Sequence, residues 1–273
     1  MNRMGRYLTK DNAMQFIPFI VAGDPCEDAT IDLALMLQTV GAHTIELGIP
    51  YSDPLADGPV IQKASKRALK HKMTLLRAMK LVGRMRRSGL EVPVVIFTYA
   101  NPLFQLGQDT FFKEASENGI DALLVPDLPF EESGTLARRC SEEEIRLISL
   151  VAPTTSNERL KKIGAAAQGF IYCVSSLGVT GVRKQFHPAI FPFLKRVRQA
   201  TDVPVAVGFG ISSREQVAEL TGYADDFIVG SAIVREIEQR AERLEQVAAR
   251  PQALTEINDL LEEKLLTAGQ KTV

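Results

Sequence analysis

Three acidic residues, Glu46, Asp53 and Asp57, lie within one stretch of the chain, residues 43–59. Glu46 interrupts a run of β-branched and apolar residues that predicts a buried strand, whereas Asp53 and Asp57 follow in a loop rich in Gly and Pro. A carboxylate in such a strand is costly to remove from water unless a charge or a hydrogen bond meets it. One acid at a strand end beside two acids on a loop is an arrangement suited to acid–base chemistry.

Each of these acids also has a purely structural interpretation. Glu46 fits a structural carboxylate tied to polar neighbours, and equally a general acid/base whose partly apolar surroundings raise its pKa toward neutrality. Asp53 and Asp57 lie in S-D-P and A-D-G, which are ordinary turn-forming sequences. The length of the loop, its prolines and its closeness to Glu46 favour a functional role.

The composition excludes several classes of function. The 273 residues carry a net charge of −1 with both signs interspersed, so no nucleic-acid or membrane partner is expected. No apolar run approaches the roughly 18 residues of a spanning helix, and the first residues lack the apolar core of a signal peptide. The 3 cysteines and 3 histidines are dispersed and fit no zinc spacing, so we expect no metal site and reduced thiols in the cytoplasm.

A short apolar run, a turn and an amphipathic segment recur from Gln15 onward. Near-continuous apolar runs are typical of parallel strands buried on both faces. The runs span residues 16–23, 43–49, 92–99, 121–127, 145–151, 169–175, 203–210 and 225–231. The segments between and after them predict helices over residues 28–40, 73–87, 110–118, 131–140, 157–165, 188–200, 213–220 and 232–248. Asp28 and Ser213 are the predicted caps of the first and seventh helices.

Eight strand–helix units within about 250 residues predict an α/β protein with a closed (β/α)8 barrel, the TIM-barrel architecture. The alternative is an open doubly wound sheet, which usually has fewer strands and a dinucleotide fingerprint after the first. The first turn reads AGDPCED and not GxGxxG, which favours the barrel. We expect a single domain over residues 1–273, with a barrel core at about 15–248 and an extra C-terminal helix at about 252–266 outside it.

Gly-rich loops follow the last three predicted strands, at residues 175–181, 208–212 and 230–232. Glycine lets backbone N–H groups approach an anion, and helix N-termini add positive charge. Barrels often bind a phosphate with the loops after strands 7 and 8. These glycines are also compatible with tight turns alone. Two successive Gly-rich turns at the expected positions, with Ser231 as an added donor, favour a phosphate site.

Together these segments resemble the tryptophan synthase alpha subunit family. The matching stretches are PFIVAGDP (18–25), ELGIPYSDPLADGPVIQ (46–62), TYANP (98–102), VPDLPFEES (125–133), SSLGVTGVR (175–183), GFGIS (208–212) and GSAIV (230–234). They cover nearly every loop after a predicted strand, in order, and the second stretch is highly specific. The resemblance implies a lyase of L-tryptophan biosynthesis that cleaves indole-3-glycerol phosphate, by a retro-aldol reaction, into indole and glyceraldehyde 3-phosphate.

The resemblance also implies residue roles. Glu46 would shuttle protons at indole C3 and at the glycerol hydroxyl, and Asp57 would hydrogen-bond the indole N–H and stabilise the developing positive charge. The residues expected at the phosphate are Gly181, Gly210, Gly230 and Ser231, with Phe209 and Ile211 beside them. The residues expected at the indole pocket and its lid are Phe19, Tyr99, Tyr172 and Thr180, of which the aromatic ones fit plain barrel packing as well.

A partner follows from the same resemblance. The family pairs with a beta subunit that uses pyridoxal phosphate to join indole to serine, in an alpha2-beta2 complex. Asp53 and Pro54 are expected near that interface. No cofactor is expected in this chain, and pyridoxal phosphate is expected only in the beta partner.

Two other functions stay open from the sequence. Another phosphate-binding barrel, such as an aldolase or a sugar-phosphate isomerase, would usually show a Schiff-base lysine or metal-binding histidines near strand ends, and no lysine lies within the strand runs. A non-catalytic chain that only activates a partner enzyme would most readily lose Glu46 and Asp57, and both are present.

Overall fold

Eight parallel strands close into a barrel, in the order β1 to β8, in a computed structural model that describes residues 3–7, 14–174, 186–208 and 210–266. The strands are β1 (Gln15–Val21), β2 (Ile45–Gly48), β3 (Val94–Phe97), β4 (Ala122–Leu124), β5 (Arg146–Val151), β6 (Ile171–Val174), β7 (Val205–Gly208) and β8 (Asp226–Val229). Each predicted apolar run overlaps one of these strands, and the predicted barrel is confirmed.

Helices connect the strands and pack around the barrel. They are α1 (Met4–Tyr7), α2 (Glu27–Thr39), α3 (Pro59–Lys70), α4 (Leu75–Arg87), α5 (Ala100–Leu106), α6 (Gln108–Asn118), α7 (Gly134–Glu142), α8 (Asn157–Ala166), α9 (Ile190–Ala200), α10 (Arg214–Leu220), α11 (Ser231–Gln239), α12 (Ala241–Glu245) and α13 (Arg250–Lys264). A short 3-10 helix, Phe130–Glu132, precedes α7. No described helix combines the length and the apolar character needed to cross a membrane.

Beyond shifts of a few residues at the helix ends, the helices differ from the predicted ones at three places. Neither α3 nor α5 was predicted, because both begin inside the loops that follow β2 and β3. The helix expected over residues 232–248 is interrupted at Arg240, whose guanidinium donates to the Glu236 carbonyl at 3.2 Å and so satisfies one of the last acceptors of α11. The predicted C-terminal helix is α13, which packs outside the barrel against α2, α11 and α12.

Asp121 ties three strands together where they enter the barrel. Its carboxylate accepts the Val94 N–H of β3 at 3.0 Å, and its own carbonyl accepts the Arg146 N–H of β5 at 3.0 Å. The Arg86 and Arg3 guanidinium groups bind the same carboxylate at 2.7 and 3.1 Å. This buried acid therefore sets the register of β3, β4 and β5 at the N-terminal rim.

Asp225 joins three neighbouring strands in the same way, at the start of β8. Its carboxylate accepts the Val205 N–H of β7 at 2.9 Å, and its carbonyl accepts the Gln15 N–H of β1 at 3.0 Å. The Arg198 guanidinium binds the other carboxylate oxygen at 2.9 Å. Asp225 thereby joins β7, β8 and β1.

Candidate active site

A pocket lies at the C-terminal ends of the strands. Its wall is mainly apolar and aromatic, with a single carboxylate and a Gly-rich edge among the described residues. The lining residues are Phe19, Asp57, Ile61, Phe97, Tyr172, Gly210, Ile211, Ile228, Gly230, Ser231 and Ala232. An apolar wall with a few converging polar groups is typical of a small-molecule site.

The cavity brings together most of the residues predicted for the site. Those it contains are Phe19, Asp57, Tyr172, Gly210, Ile211, Gly230 and Ser231. Glu46 and Tyr99 are not among the lining residues; Glu46 lies on β2 inside the barrel, and Tyr99 contacts the β2 loop. Asp53 and Pro54 lie further out on that loop, where Asp53 is exposed. Thr180, Gly181 and Phe209 lie outside the described residues.

Glu46 points into the barrel from β2. It is the register partner of Phe19 on β1, and residues in register on parallel strands share a face of the sheet, so both side chains point inward. The Glu46 side chain is 0 % exposed, and within the described part of the chain neither carboxyl oxygen has a hydrogen-bond partner. This burial raises the pKa of Glu46 to about 8. Glu46 is therefore a neutral acid over most of the physiological pH range.

Asp57 reaches the cavity from the end of the β2 loop, directly before α3. Gly58 caps α3 and Pro59 occupies its first turn, which fixes where the loop ends. The Gln62 side chain donates to the Asp57 carbonyl at 2.8 Å and holds the backbone there. Burial raises the pKa of the Asp57 carboxyl to about 6, and a hydrogen bond from the Tyr99 hydroxyl counteracts part of that rise. Asp57 is therefore mainly ionised at neutral pH, in contrast to Glu46.

Two glycines make room for the aromatic rings of the cavity. A Cβ atom placed on Gly48 would lie 2.4 Å from Cζ of Phe19, and one placed on Gly208 would lie 2.2 Å from the hydroxyl oxygen of Tyr172. These distances are far below van der Waals contact, so no larger residue fits without displacing a ring. Burial, followed by the charge of Glu46, raises the pKa of Tyr172, which indicates that this tyrosine and Glu46 share the barrel interior.

The Gly-rich edge of the cavity contains the predicted phosphate residues. Gly210 has a φ of 84°, a backbone conformation that favours glycine. Gln216 fixes this turn, because its side chain donates to the Gly210 carbonyl at 3.2 Å and accepts the Ser212 N–H at 2.8 Å. Gly230 and Ser231 begin α11, whose first backbone N–H groups have no partner within the helix. The described lining residues include no Lys or Arg, so backbone dipoles would supply most of the attraction for an anion.

Sequence reasoning missed Ile61, Phe97 and Ile228 in the cavity wall. Phe97 packs edge-on against Phe19, with ring centroids 5.6 Å apart. Both Phe97 and Ile228 lie near the ends of predicted strands, so the sequence could have predicted that they lie at the mouth of the barrel. The position of Ile61 could not be predicted in this way, because Ile61 lies on α3, which was not predicted.

A family model described as "Tryptophan synthase alpha chain" matches residues 6–262 of the sequence. The tryptophan synthase alpha chain of Shouchella clausii is 59 % identical over 257 residues, which cover 94 % of this chain and 95 % of that protein. The alpha chain of Bacillus subtilis strain 168 is 54 % identical over 244 residues, which cover 89 % and 91 %.

Solved structures agree with these relatives. A chain from the tryptophan synthase a2b2 complex of Pyrococcus furiosus superposes with a TM-score of 0.82 at 37 % identity, covering 93 % of this chain and 97 % of the other. The tryptophan synthase subunit alpha of Legionella pneumophila gives a TM-score of 0.83 at 34 % identity, covering 96 % and 99 %. Family model, relatives and structures coincide over nearly the whole barrel, and the chain belongs to the tryptophan synthase alpha chain family.

Proposed function

We infer that this chain catalyses the reaction of its family, the cleavage of indole-3-glycerol phosphate into indole and glyceraldehyde 3-phosphate. The observation that supports this best is the pairing of two unlike acids at one end of the barrel. Glu46 is neutral because it is buried without a hydrogen-bond partner among the described residues, and Asp57 is ionised on the adjacent loop. Two acids with separated pKa values can take opposite roles in one reaction.

The bond that breaks joins indole C3 to the glycerol chain. In our proposal the neutral Glu46 donates its proton to C3, which places a positive charge on the indole ring. The Glu46 carboxylate then removes the proton of the glycerol hydroxyl, the carbon–carbon bond breaks, and the electron pair returns to the ring. Indole and an aldehyde leave, and Glu46 is again protonated, so the cycle needs no external acid or base.

Asp57 would accept a hydrogen bond from the indole N–H and stabilise the positive charge of that intermediate. Such a role requires a carboxylate, and the pKa of about 6 satisfies this at neutral pH. A fixed charge in a cavity shielded from water is worth far more than one in bulk solvent. Loss of this group is expected to cost a factor of about 10²–10³ in rate.

The phosphate would bind at Gly210, Gly230 and Ser231, together with Gly181, which lies outside the described residues. The first N–H groups of α11 and the Ser231 hydroxyl are donors that favour a dianion. The indole ring would then fill the apolar part of the cavity between Phe19 and Tyr172.

We also propose a beta subunit as the partner of this chain. The similar Pyrococcus furiosus chain was solved in an a2b2 complex. Next to Asp53 and Pro54, Leu55 is 88 % exposed, and on α5 Phe104 is 55 % exposed. Exposed apolar side chains beside a polar rim are typical of an interaction surface. In this proposal pyridoxal phosphate belongs to the beta subunit, and this chain carries no cofactor.

The test is an assay of indole release from indole-3-glycerol phosphate, with and without a beta subunit. We expect Glu46→Gln to lose nearly all activity and Asp57→Asn to lose about 10²–10³ in kcat. Lys162→Gln, on the exposed surface of α8, is the control and is expected to match the unchanged protein. Indole release at the unchanged rate from Glu46→Gln would overturn the proton-transfer role. Absence of any indole release, alone or with the beta subunit, would favour a non-catalytic role instead.

A further inference from the structure

We propose that Tyr51, Tyr99 and Asn101 form a clamp between the loops after β2 and β3, in which Tyr99 is a positioning residue for Asp57. The clamp is defined by the contacts of these three side chains. It rests on the proposed function insofar as Asp57 acts in the cleavage of indole-3-glycerol phosphate. The contacts that define the clamp do not depend on that reaction.

Tyr99 meets the β2 loop at two adjacent residues. It follows β3 and caps α5, and its ring is buried. The hydroxyl oxygen accepts the Ala56 N–H at 3.0 Å. Because this bond uses a lone pair of the oxygen, the hydroxyl proton remains free to be donated to the neighbouring Asp57 carboxylate. One phenol group thus fixes both the backbone before Asp57 and the carboxylate itself.

Tyr51 supports Tyr99 from the other side. Their rings pack with centroids 5.1 Å apart at an interplanar angle of 30°. The Asn101 side-chain amide donates to the Tyr51 hydroxyl at 3.1 Å. The β3 loop contacts the turn after β4 as well, because Asp127 accepts the Ala100 N–H at 2.9 Å. The clamp therefore joins the loop that carries Asp57 to the segment that follows β3.

The hydroxyl of Tyr99 is the functional part of this arrangement. Tyr99 does not line the cavity, so a ring there is not required to shape the indole pocket. A phenylalanine would occupy nearly the same volume and keep the packing on Tyr51. Only the bonds to Ala56 and Asp57 would be lost, which makes Tyr99→Phe a specific probe of the clamp.

The groups around Asp57 explain why the bond matters for its charge. Burial disfavours the Asp57 carboxylate, and the hydrogen bond from Tyr99 favours it. Tyr172 also faces Asp57, and Glu46 in turn faces Tyr172. The charge of Asp127 acts on Tyr99. Among these groups, Tyr99 is the one that donates to the ionised carboxylate, so its removal raises the pKa of Asp57.

The experiment compares the full-length protein with Tyr99→Phe, Tyr51→Phe, Asp57→Asn and the control Tyr223→Phe. Tyr223 packs on Phe191, away from the cavity. The side-chain carboxyl of Asp57 is titrated by NMR with ¹³C-labelled aspartate, its signal being assigned by its absence in Asp57→Asn. The kcat and KM of indole release are measured over the same pH range, and folding is checked by thermal unfolding.

In the unchanged protein Asp57 is expected to titrate near pH 6. In Tyr99→Phe the titration and the acid limb of kcat both move up by about one pH unit, and kcat near pH 6 falls about tenfold with KM changed less than threefold. In Tyr51→Phe kcat falls about threefold, with the titration of Asp57 unchanged, because only the bond to Asn101 is lost. Tyr223→Phe matches the unchanged protein in every measurement.

Two results would overturn the clamp. One is a Tyr99→Phe protein with the kcat and the Asp57 titration of the unchanged protein. The other is a lower kcat with an unmoved titration, which would assign the Tyr99 hydroxyl to the Ala56 backbone alone and not to the Asp57 carboxylate. If Asp57→Asn released indole at the unchanged rate, the proposed function of Asp57 would fail instead. The NMR titration would still decide whether Tyr99 holds that carboxylate.

Discussion

Gly48 on β2 and Phe19 on β1 are packed so closely that a Cβ on Gly48 would lie 2.4 Å from Cζ of Phe19. Gly48 follows Glu46 by two residues and therefore faces the same interior of the barrel. The missing side chain at Gly48 is what allows the Phe19 ring to lie over the end of β2 and form part of the cavity wall.

Gly48→Ala is expected to displace the Phe19 ring into the cavity. The overpacking should lower the free energy of unfolding by about 1–3 kcal/mol and raise the KM for indole-3-glycerol phosphate more than it lowers kcat. Urea unfolding and steady-state kinetics measure the two effects. Gly134→Ala is the matched control, because a Cβ at Gly134 meets no atom within 4 Å. Equal KM values for both variants would show that Phe19 does not define the pocket.

The stability of the protein should depend on pH through Glu46. Its pKa rises from 4.5 to about 8 on folding, so between these values the folded state holds a proton that the unfolded state has lost. Stability therefore falls as pH rises through this window, by about 1.4 kcal/mol per pH unit from this one group. Glu46→Gln removes that dependence. The free energy of unfolding of this variant, measured in urea relative to that of the unchanged protein, should therefore increase from pH 5 to pH 8. Parallel stability curves for the two proteins would contradict the raised pKa of the buried Glu46.

Removal of Arg67 should be costly, because its partner is a buried carboxylate. Arg67 binds Asp24, which is 1 % exposed, through two hydrogen bonds of 2.7 and 3.0 Å, and it reaches Glu238 on α11 at 3.2 Å. Arg67→Ala leaves the Asp24 carboxylate buried and unpaired, for an expected loss of about 3 kcal/mol in urea unfolding. Lys162→Ala breaks an exposed ion pair with Glu158 and should change stability by less than about 1 kcal/mol.

Ser231→Ala tests the proposed phosphate site. Removal of one hydroxyl donor to a dianion is expected to raise the KM for indole-3-glycerol phosphate about tenfold, since hydrogen bonds to charged groups contribute about 1.5–3 kcal/mol. The inhibition constant of glycerol 3-phosphate, which lacks the indole ring, should rise by the same factor. Ser212→Ala, in the β7 loop but outside the cavity lining, provides a comparison. A Ser231→Ala protein with an unchanged inhibition constant would place the phosphate elsewhere.

Leu55 and Phe104 test the proposed surface for the beta subunit. Leu55→Asp and Phe104→Asp should each weaken binding of a beta subunit by about tenfold or more, because a charge replaces an exposed apolar side chain in an interface. The activity of the isolated chain should stay within about twofold, as neither residue lines the cavity. Val247→Asp changes an exposed apolar residue beyond α12, whose exposure of 79 % lies between those of Leu55 and Phe104, and serves as the control. Titration calorimetry with the beta subunit separates these cases.

The barrel could be predicted because its signal is local and repeated. Apolar runs alternate with amphipathic segments, and each run became a strand. Ser213 was correctly predicted as a helix cap, since its side chain accepts the Gln216 N–H. The prediction for Asp28 was wrong, because α2 begins one residue earlier and Cys26 occupies the cap position. Cap positions depend on where the preceding loop ends, which the periodic pattern does not specify.

Less of the candidate site could be predicted from the sequence. Glu46 and Asp57 were found from their positions at and after a predicted strand, whereas Phe19 and Tyr172 were expected only from the family resemblance. The contact of Tyr99 with Ala56, and that of Arg67 with Asp24, each join residues 43 positions apart. No local pattern encodes such contacts, since they exist only once the loops have folded over the barrel. The lack of a hydrogen-bond partner for Glu46 among the described residues likewise becomes visible only in three dimensions.

Asp121 and Asp225 occupy matching places four strands apart in a ring of eight. A half-turn about the barrel axis would carry one three-strand junction onto the other, including the arginine supplied by the preceding helix. The hydrogen bonds of Asp121 and Asp225 thus follow an approximate twofold symmetry of the barrel. At the opposite rim the halves diverge, since the first contributes the acids and the second contributes the turns proposed to hold the phosphate.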